Sequence, residues 1–325
     1  MRINRNNKNI GSFSALLMLM LISLSSMAQQ VSNPIIPGYF ADPTVVKQNG
    51  TYYIYATIDP WGGDELAVFE TKDFVNFTRH HLNWPTKKAC TSPTSNNSMV
   101  WAPSVVRGKD KKFYMYVSVG SEVWAGVSDQ PLGPWKNLKK DNTPLIAAKD
   151  FPAVHNIDAD CFIDDNGDAF LYWGSGFNWI NGKCMAVKLK PDMFSFVNKP
   201  VEVTPSGYFE APHLIKRNNE YLLMFSEGKA IDETYRIGYA VGKTPFGPFQ
   251  KGKYSPILST IPGTATIGPG HHTVVTLGKQ DYVLYHRIVP QKEKYVLREL
   301  CLDSLKYDNK NQLMKVVPVK TKRIN

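Results

Sequence analysis

Cysteine is scarce in this chain, and its few copies are poorly placed for metal or redox chemistry. Cys90, Cys161, Cys184 and Cys301 form no C-x-x-C pair, which argues against a zinc site or a dithiol redox motif. Cys161 lies in an apolar run and reads as a small core residue; no disulfide pairing follows from the spacing. No amphipathic helix of useful length can be traced, and no low-complexity linker divides the chain. Basic residues outnumber acidic ones, 38 against 28, for a net charge of +10. They are scattered or in short pairs such as Lys87-Lys88, Lys111-Lys112 and Lys139-Lys140. Without a basic stripe, nucleic acid is excluded as a partner. A solvated surface is the reading, with an acidic polysaccharide as the alternative.

Long apolar runs are also missing, apart from Ala15 to Leu24 near the start. Arg2, Arg5 and Lys8 precede it, and Ser26-Met27-Ala28 follows with small residues at the cleavage positions. Residues 1–28 therefore read as a secretory signal peptide, too short and wrongly flanked for a membrane span. An exported protein is expected, periplasmic or extracellular, with no stable membrane insertion. No cysteine directly follows the cleavage point, which weighs against a lipid anchor. Export permits a disulfide. Cleavage removes three basic residues and leaves a charge of +7 on 297 residues.

What is abundant is repetition. Aromatic-rich runs end at Tyr55, Tyr116, Tyr172, Phe225 and Tyr285, separated by 61, 56, 53 and 60 residues. A second apolar run precedes each across a polar turn, for example Gln48-Asn49-Gly50 or Asp164-Asp165-Asn166-Gly167. The latter suits a hairpin that needs positive φ, and it lacks the ligand spacing of a calcium loop. An outer motif recurs too, Pro131-Leu132-Gly133-Pro134-Trp135 and Pro245-Phe246-Gly247-Pro248-Phe249, with relatives at Asp73 to Phe77 and Asp192 to Phe196. Its prolines place it at sheet edges and loops, and its final aromatic is expected between neighbouring sheets.

Strand-turn-strand units at this period imply radial β architecture. Five units of about 57 residues fill the mature chain. The expected fold is all-β, a five-bladed β-propeller forming a single domain over residues 29–325. A sandwich would show irregular spacing and no set of equivalent positions. Counting back 13 or 14 residues from each terminal aromatic gives Asp42, Ala102, Asp158, Ala211 and His271, and Glu210 directly precedes Ala211. In a propeller these positions form a ring around the axis.

Several carboxylates on such a ring suit glycosidic bond cleavage. One carboxylic acid protonates the departing oxygen, and a second carboxylate activates water or attacks the sugar. The acid must keep its proton near neutral pH, which burial or a nearby negative charge can achieve. The alternative reading, that Asp42 and Asp158 only cap strand starts, explains one such residue better than three at matched positions.

The motifs in order are Phe40-Ala41-Asp42-Pro43, Trp101-Ala102-Pro103, Ile157-Asp158-Ala159, Phe209-Glu210-Ala211-Pro212-His213 and Gly268-Pro269-Gly270-His271. Together they resemble glycoside hydrolase family 43, from about residue 33 to about residue 310. The resemblance implies an inverting five-bladed propeller acting on arabinan, arabinoxylan or xylan, exo or endo. It further implies Asp42 as general base, Glu210 as general acid and Asp158 as the carboxylate that raises the acid's pKa and holds it in place. No cofactor is implied for the chemistry. His271 matches a histidine that often faces an axial ion, commonly calcium; a hydrogen-bonded histidine without metal is the alternative. Arg287 matches an arginine that binds sugar hydroxyls, with a structural salt bridge to one of the ring carboxylates as the other reading. Trp101 is either an aromatic wall for the sugar or a core residue between blades. Ala159 departs from the family, which often has proline there. The intact base position counts against a β-1,3-galactosidase.

The activity expected is removal of terminal arabinofuranosyl or xylosyl units from plant cell-wall oligosaccharides or polysaccharides, by a monomer. An endo-arabinanase and a non-catalytic glycan-binding propeller are the alternatives. The loops at Trp61-Gly62-Gly63, Lys87 to Asn97 and Phe177 to Gly182 decide between exo and endo action.

Overall fold

The computed structural model describes residues 32–290 and 296–319. The expected signal peptide lies outside the described residues. Each sequence unit folds as one small antiparallel sheet. Blade one holds β1 (Phe40–Gln48), β2 (Thr51–Ile58), β3 (Ala67–Thr71) and β4 (Thr78–His80). Blade two holds β5 (Val100–Arg107), β6 (Phe113–Val119), β7 (Val123–Ser128) and β8 (Lys136–Asn137). Blade three holds β9 (Asp160–Ile163), β10 (Ala169–Trp173), β11 (Met185–Lys188) and β12 (Val201–Glu202). Blade four holds β13 (Glu210–Arg217), β14 (Glu220–Glu227), β15 (Arg236–Gly242) and β16 (Gln250–Lys251). Blade five holds β17 (Gly270–Leu277), β18 (Gln280–Val289) and β19 (Leu297–Ser304). The first strands of successive blades pack side by side from β1 to β17, and β17 packs back against β1. The fold is therefore a five-bladed β-propeller.

Strands in the middle of each blade are buried on both faces, which is why their sequence is apolar throughout instead of alternating. All seven residues of β6 and all five of β10 are buried. The core is accordingly spread into layers between blades. One layer packs Val46, Tyr55 and Val68 of blade one against Val105, Met115, Trp124 and Trp135 of blade two. All four cysteines are buried and unpaired in such layers.

The repeated motifs explain each other here. In blades one to three the repeated aromatic of the second strand reaches across to the outer motif of the next blade and donates its hydroxyl to a backbone carbonyl, whereas Tyr285 of blade five donates to Asp303 in its own blade at 2.8 Å. Tyr55 bonds Pro131 at 2.6 Å, Tyr116 bonds Met193 at 2.7 Å and Tyr172 bonds Pro245 at 2.5 Å. Phe225 has no hydroxyl, so its position makes no such bond. Trp135, the end of one outer motif, lies edge-on to Tyr55 at 6.5 Å, between blades as its repeat position predicts.

Blade five has three strands among the described residues, and the chain start covers its outer edge. Ile35 donates its amide to Leu300 of β19 at 2.9 Å, and Leu302 donates to Asn33 Oδ1 at 2.8 Å. Asn33 in turn donates to the buried Asp303 carboxylate at 3.0 Å. Residues 33–35 thus bond to the last strand of blade five, while blade five packs on β1 to close the ring.

Removing one interblade hydroxyl tests this packing. Tyr116→Phe leaves the Met193 carbonyl buried without its donor and should lower the unfolding free energy by about 1–3 kcal/mol. Urea denaturation measures it; a loss below about 0.5 kcal/mol would mean that these bonds do not hold neighbouring blades together.

Candidate active site

The five ring positions share one unusual backbone state. Asp42, Ala102, Asp158, Ala211 and His271 have φ of 51°, 47°, 56°, 54° and 35°, in the left-handed region that side chains with a Cβ disfavour. In four blades this residue sits within a break in strand register, between Ala41 and Thr44, Trp101 and Ser104, Glu210 and His213, and Gly270 and His272. Such a bulge re-aims a side chain toward the axis. It also accommodates the prolines at 43, 103 and 212, which have no N–H for a ladder bond.

A side chain from the preceding blade captures the amide of each bulged residue. Ala102 donates to Thr57 Oγ1 at 2.8 Å, Asp158 to Ser118 Oγ at 2.9 Å and His271 to Ser226 Oγ at 2.9 Å. The Ala211 amide faces the Asp158 carboxylate and favours its charged form. Asp42 donates to His286 Nδ1 at 3.2 Å, which carries the pattern across the closing junction.

Three carboxyls converge in the cavity this ring creates: Asp42, Asp158 and Glu210, each at most 8 % exposed. Burial alone would raise the pKa of Asp42. The Arg298 guanidinium, then His271 and His286, outweigh it and hold this carboxyl well below the usual carboxylate range. Arg298 Nη1 lies 3.1 Å from Asp42 Oδ1, and Thr57 donates to Oδ2 at 2.7 Å. Glu210 behaves in the opposite way. Burial pushes it up to about 7, with the Asp42 charge adding to the rise, although Tyr235 and Ser175 donate to its oxygens. Burial and then Glu210 push Asp158 well above the usual range. Two environments within one cavity thus separate an anionic carboxyl from one that keeps its proton near neutral pH.

The cavity is about 370 Å³ and has mainly aromatic walls: Trp61, Trp101, Phe177, Trp179 and Phe209. Phe177 stacks on His155 at 5.0 Å, and Trp61 covers Arg298 at 4.8 Å. The loop after β10 bends tightly to supply two of these walls, with positive φ at Asn178, Trp179 and Asn181. Gly182 is required within it, because a Cβ there would lie 2.2 Å from the Phe209 carbonyl oxygen.

Comparison with known proteins identifies the family. Residues 31–312 match the family model described as Glycosyl hydrolases family 43. The chain belongs to glycoside hydrolase family 43. It is 31 % identical to "Beta-D-galactofuranosidase xynD" of Aspergillus niger, over 91 % of this chain and 88 % of that protein. It is 29 % identical to "Arabinoxylan arabinofuranohydrolase" of Bacillus subtilis, covering 78 % of this chain and 57 % of that one. Among solved structures, a thermostable family-43 glycoside hydrolase superposes with a TM-score of 0.73 at 26 % identity, over 91 % of this chain and 98 % of the other.

Against the family's pattern, Asp42, Asp158, Glu210, His271 and Trp101 all line the cavity. Arg287 does not: it is buried beside Glu299, with Nη2 2.5 Å from Oε1. Side chains alternate along β18, so turning His286 toward Asp42 directs Arg287 to the face where Glu299 lies opposite it. The arginine at the cavity is Arg298 on β19, which forks onto Asp59 at 2.6 Å as well as onto Asp42. Ser175 and Tyr235, which hold Glu210, were also absent from the sequence reading. They lie in loops that do not repeat between units.

Calcium favours about six to eight oxygen ligands. Among the described residues no three His, Cys, Asp or Glu side chains gather to hold a metal ion. His271 directs Nδ1 at Asp42 Oδ1, 3.2 Å away, and at Asp158 Oδ2, 3.7 Å away. Burial lowers its pKa to about 4, so it stands neutral between two carboxyls. The protein groups present therefore do not themselves make a calcium cage.

Thr57 joins the two halves of this design, accepting from blade two and donating to Asp42. Thr57→Val keeps the shape and removes both bonds, so it should cost about 1–3 kcal/mol of stability. Thermal unfolding at matched pH checks this; an unchanged midpoint would show that the ring amide needs no partner.

Proposed function

We propose that this protein is an exported, inverting, exo-acting glycosidase that removes terminal arabinofuranosyl or xylosyl units from plant cell-wall polysaccharides. The observation that carries the reading is the opposed state of two carboxyls in one cavity, Asp42 held anionic and Glu210 pushed up to about 7. Asp42 acts as general base: Oδ2 accepts from Thr57 and has a second lone pair for the attacking water. Glu210 acts as general acid, giving its proton to the glycosidic oxygen as the C–O bond breaks. Asp158 shares with Glu210 the task of retaining a proton, and its contact with the Ala211 amide steadies the strand start that carries the acid. Arg298 keeps the base charged and oriented.

Exo action is supported by cavity size. A volume of about 370 Å³ with aromatic walls is near the lower end of small-molecule sites, about 300–1,000 Å³. It suits one sugar ring better than a polysaccharide running through. A second sugar follows from the relative named as a galactofuranosidase. L-arabinofuranose and D-galactofuranose present the same ring hydroxyls and differ in the exocyclic carbon chain, so the same carboxyls could serve either. Export rests on the leader at residues 1–28. Among the described residues no helix is long and apolar enough to cross a membrane.

Nitrophenyl α-L-arabinofuranoside, β-D-xyloside and β-D-galactofuranoside should separate these substrates, and inertness toward all three and toward arabinan would overturn the enzyme reading. Asp42→Ala should fold and lose at least about 1,000-fold in kcat, in the range for a lost general base; near-normal turnover would remove Asp42 from the mechanism. The pH profile has a defined sign. The acid must be protonated, so kcat/KM should fall as pH rises through about 7. A base held low keeps the acid limb below the ordinary carboxylate range. An alkaline limb above pH 9 would contradict the assignment of Glu210.

A further inference from the structure

Glu210 is gripped from two blades. Ser175, in the loop after β10, donates to Oε2 at 2.9 Å. Tyr235, just before β15, donates to Oε1 at 2.8 Å. The two hydroxyls differ in freedom. Ser175 can turn toward the Gly176 carbonyl, 3.5 Å away. Tyr235 cannot swing: its ring is 1 % exposed and stacks on His286, 5.7 Å away and 8° from parallel. Its other contact is with Gly270, where a Cβ would fall 2.0 Å from the Tyr235 ring. Glycine at 270 therefore makes room for this phenol.

His286 is itself fixed to the proposed base, with Nδ1 3.2 Å from both the amide and Oδ1 of Asp42. A continuous buried chain of contacts runs from Asp42 through the His286 ring and the Tyr235 ring to Glu210. Tyr235 is not among the residues lining the cavity; it reaches the acid through its hydroxyl on Glu210 and the base through its ring against His286.

We propose that Tyr235 positions the proton donor: its hydroxyl fixes the plane of the Glu210 carboxyl and stabilises the carboxylate left when the proton departs, while its ring sets the spacing between acid and base. In the step itself the Glu210 proton moves to the glycosidic oxygen, which takes the electron pair of the breaking C–O bond. The Tyr235 O–H stays on its own oxygen throughout and strengthens its bond to Oε1 as negative charge develops there. This role rests on Glu210 being the acid.

The test compares Tyr235→Phe, Gly270→Ala and Glu210→Gln on an aryl glycoside with a dinitrophenolate leaving group and on one with a poor leaving group. Tyr235→Phe keeps the ring and its stack. It removes one donor from the carboxylate, leaving Asp42, Asp158, Arg298, Tyr208 and the Ser175 hydroxyl to face Glu210 as before. Its alkaline limb should move up by about one pH unit. Its kcat on the poor leaving group should fall about tenfold, with little change on the dinitrophenyl substrate. Gly270→Ala, by displacing the ring, should show the same leaving-group bias. If it fails to fold, Tyr235→Phe carries the test alone. A Tyr235→Phe enzyme with the wild-type alkaline limb and leaving-group ratio would overturn the proposal, provided that Glu210→Gln still discriminates between the two substrates. Equal losses on both substrates for Glu210→Gln would overturn the acid assignment, and this role for Tyr235 with it.

Discussion

The structure depends on five backbone amides that point the wrong way for a sheet. At the start of each inner strand one residue adopts a left-handed conformation and takes its N–H out of the ladder of its own blade. A buried N–H without an acceptor is costly, and here the acceptor always comes from the preceding blade. The bond that relieves a local strain is thus also the bond that joins two blades. It fixes where the ring side chain emerges, and for Asp42 and Asp158 that places a carboxyl at the axis.

Gathering carboxyls in a closed space raises an electrostatic problem, which the chain answers unevenly. Arg298 arrives from the last strand, braced by Asp59 and covered by Trp61, and of the three cavity carboxyls it hydrogen-bonds Asp42. Glu210 receives only neutral hydroxyls, so burial dominates and its proton affinity rises. The asymmetry of supports, more than the presence of two carboxyls, separates one held anionic from one that keeps its proton near neutral pH. The like charge that adds to the rise at Glu210 is Asp42, and burial comes before it; Asp158, the carboxylate the resemblance implies for that role, is itself pushed up by burial and then by Glu210.

Much of this was legible because the fold repeats. The spacing of Tyr55, Tyr116, Tyr172, Phe225 and Tyr285 predicts the blades, and counting back from them finds the five left-handed residues of the ring. The outer Pro-Leu-Gly-Pro-Trp motif and these aromatics turn out to be two ends of one contact. What could not be read came from parts that do not repeat. Arg298 meets Asp42 across 256 residues, and nothing in the sequence around either one announces the other. The same holds for Tyr235, whose signal was the glycine at 270, informative only once the ring beside it is seen. Arg287 misled because a local motif gives position along a strand but not which face its neighbour claims.

The account stands on water being activated by Asp42 while Glu210 protonates the leaving oxygen in a single displacement. Proton NMR of the sugar formed in the first moments of hydrolysis, before mutarotation, observes that displacement directly. The account predicts that the released sugar appears first as the anomer opposite to that of the substrate. Initial release of the same anomer would mean a covalent glycosyl-enzyme intermediate, and Asp42 could then not be the base.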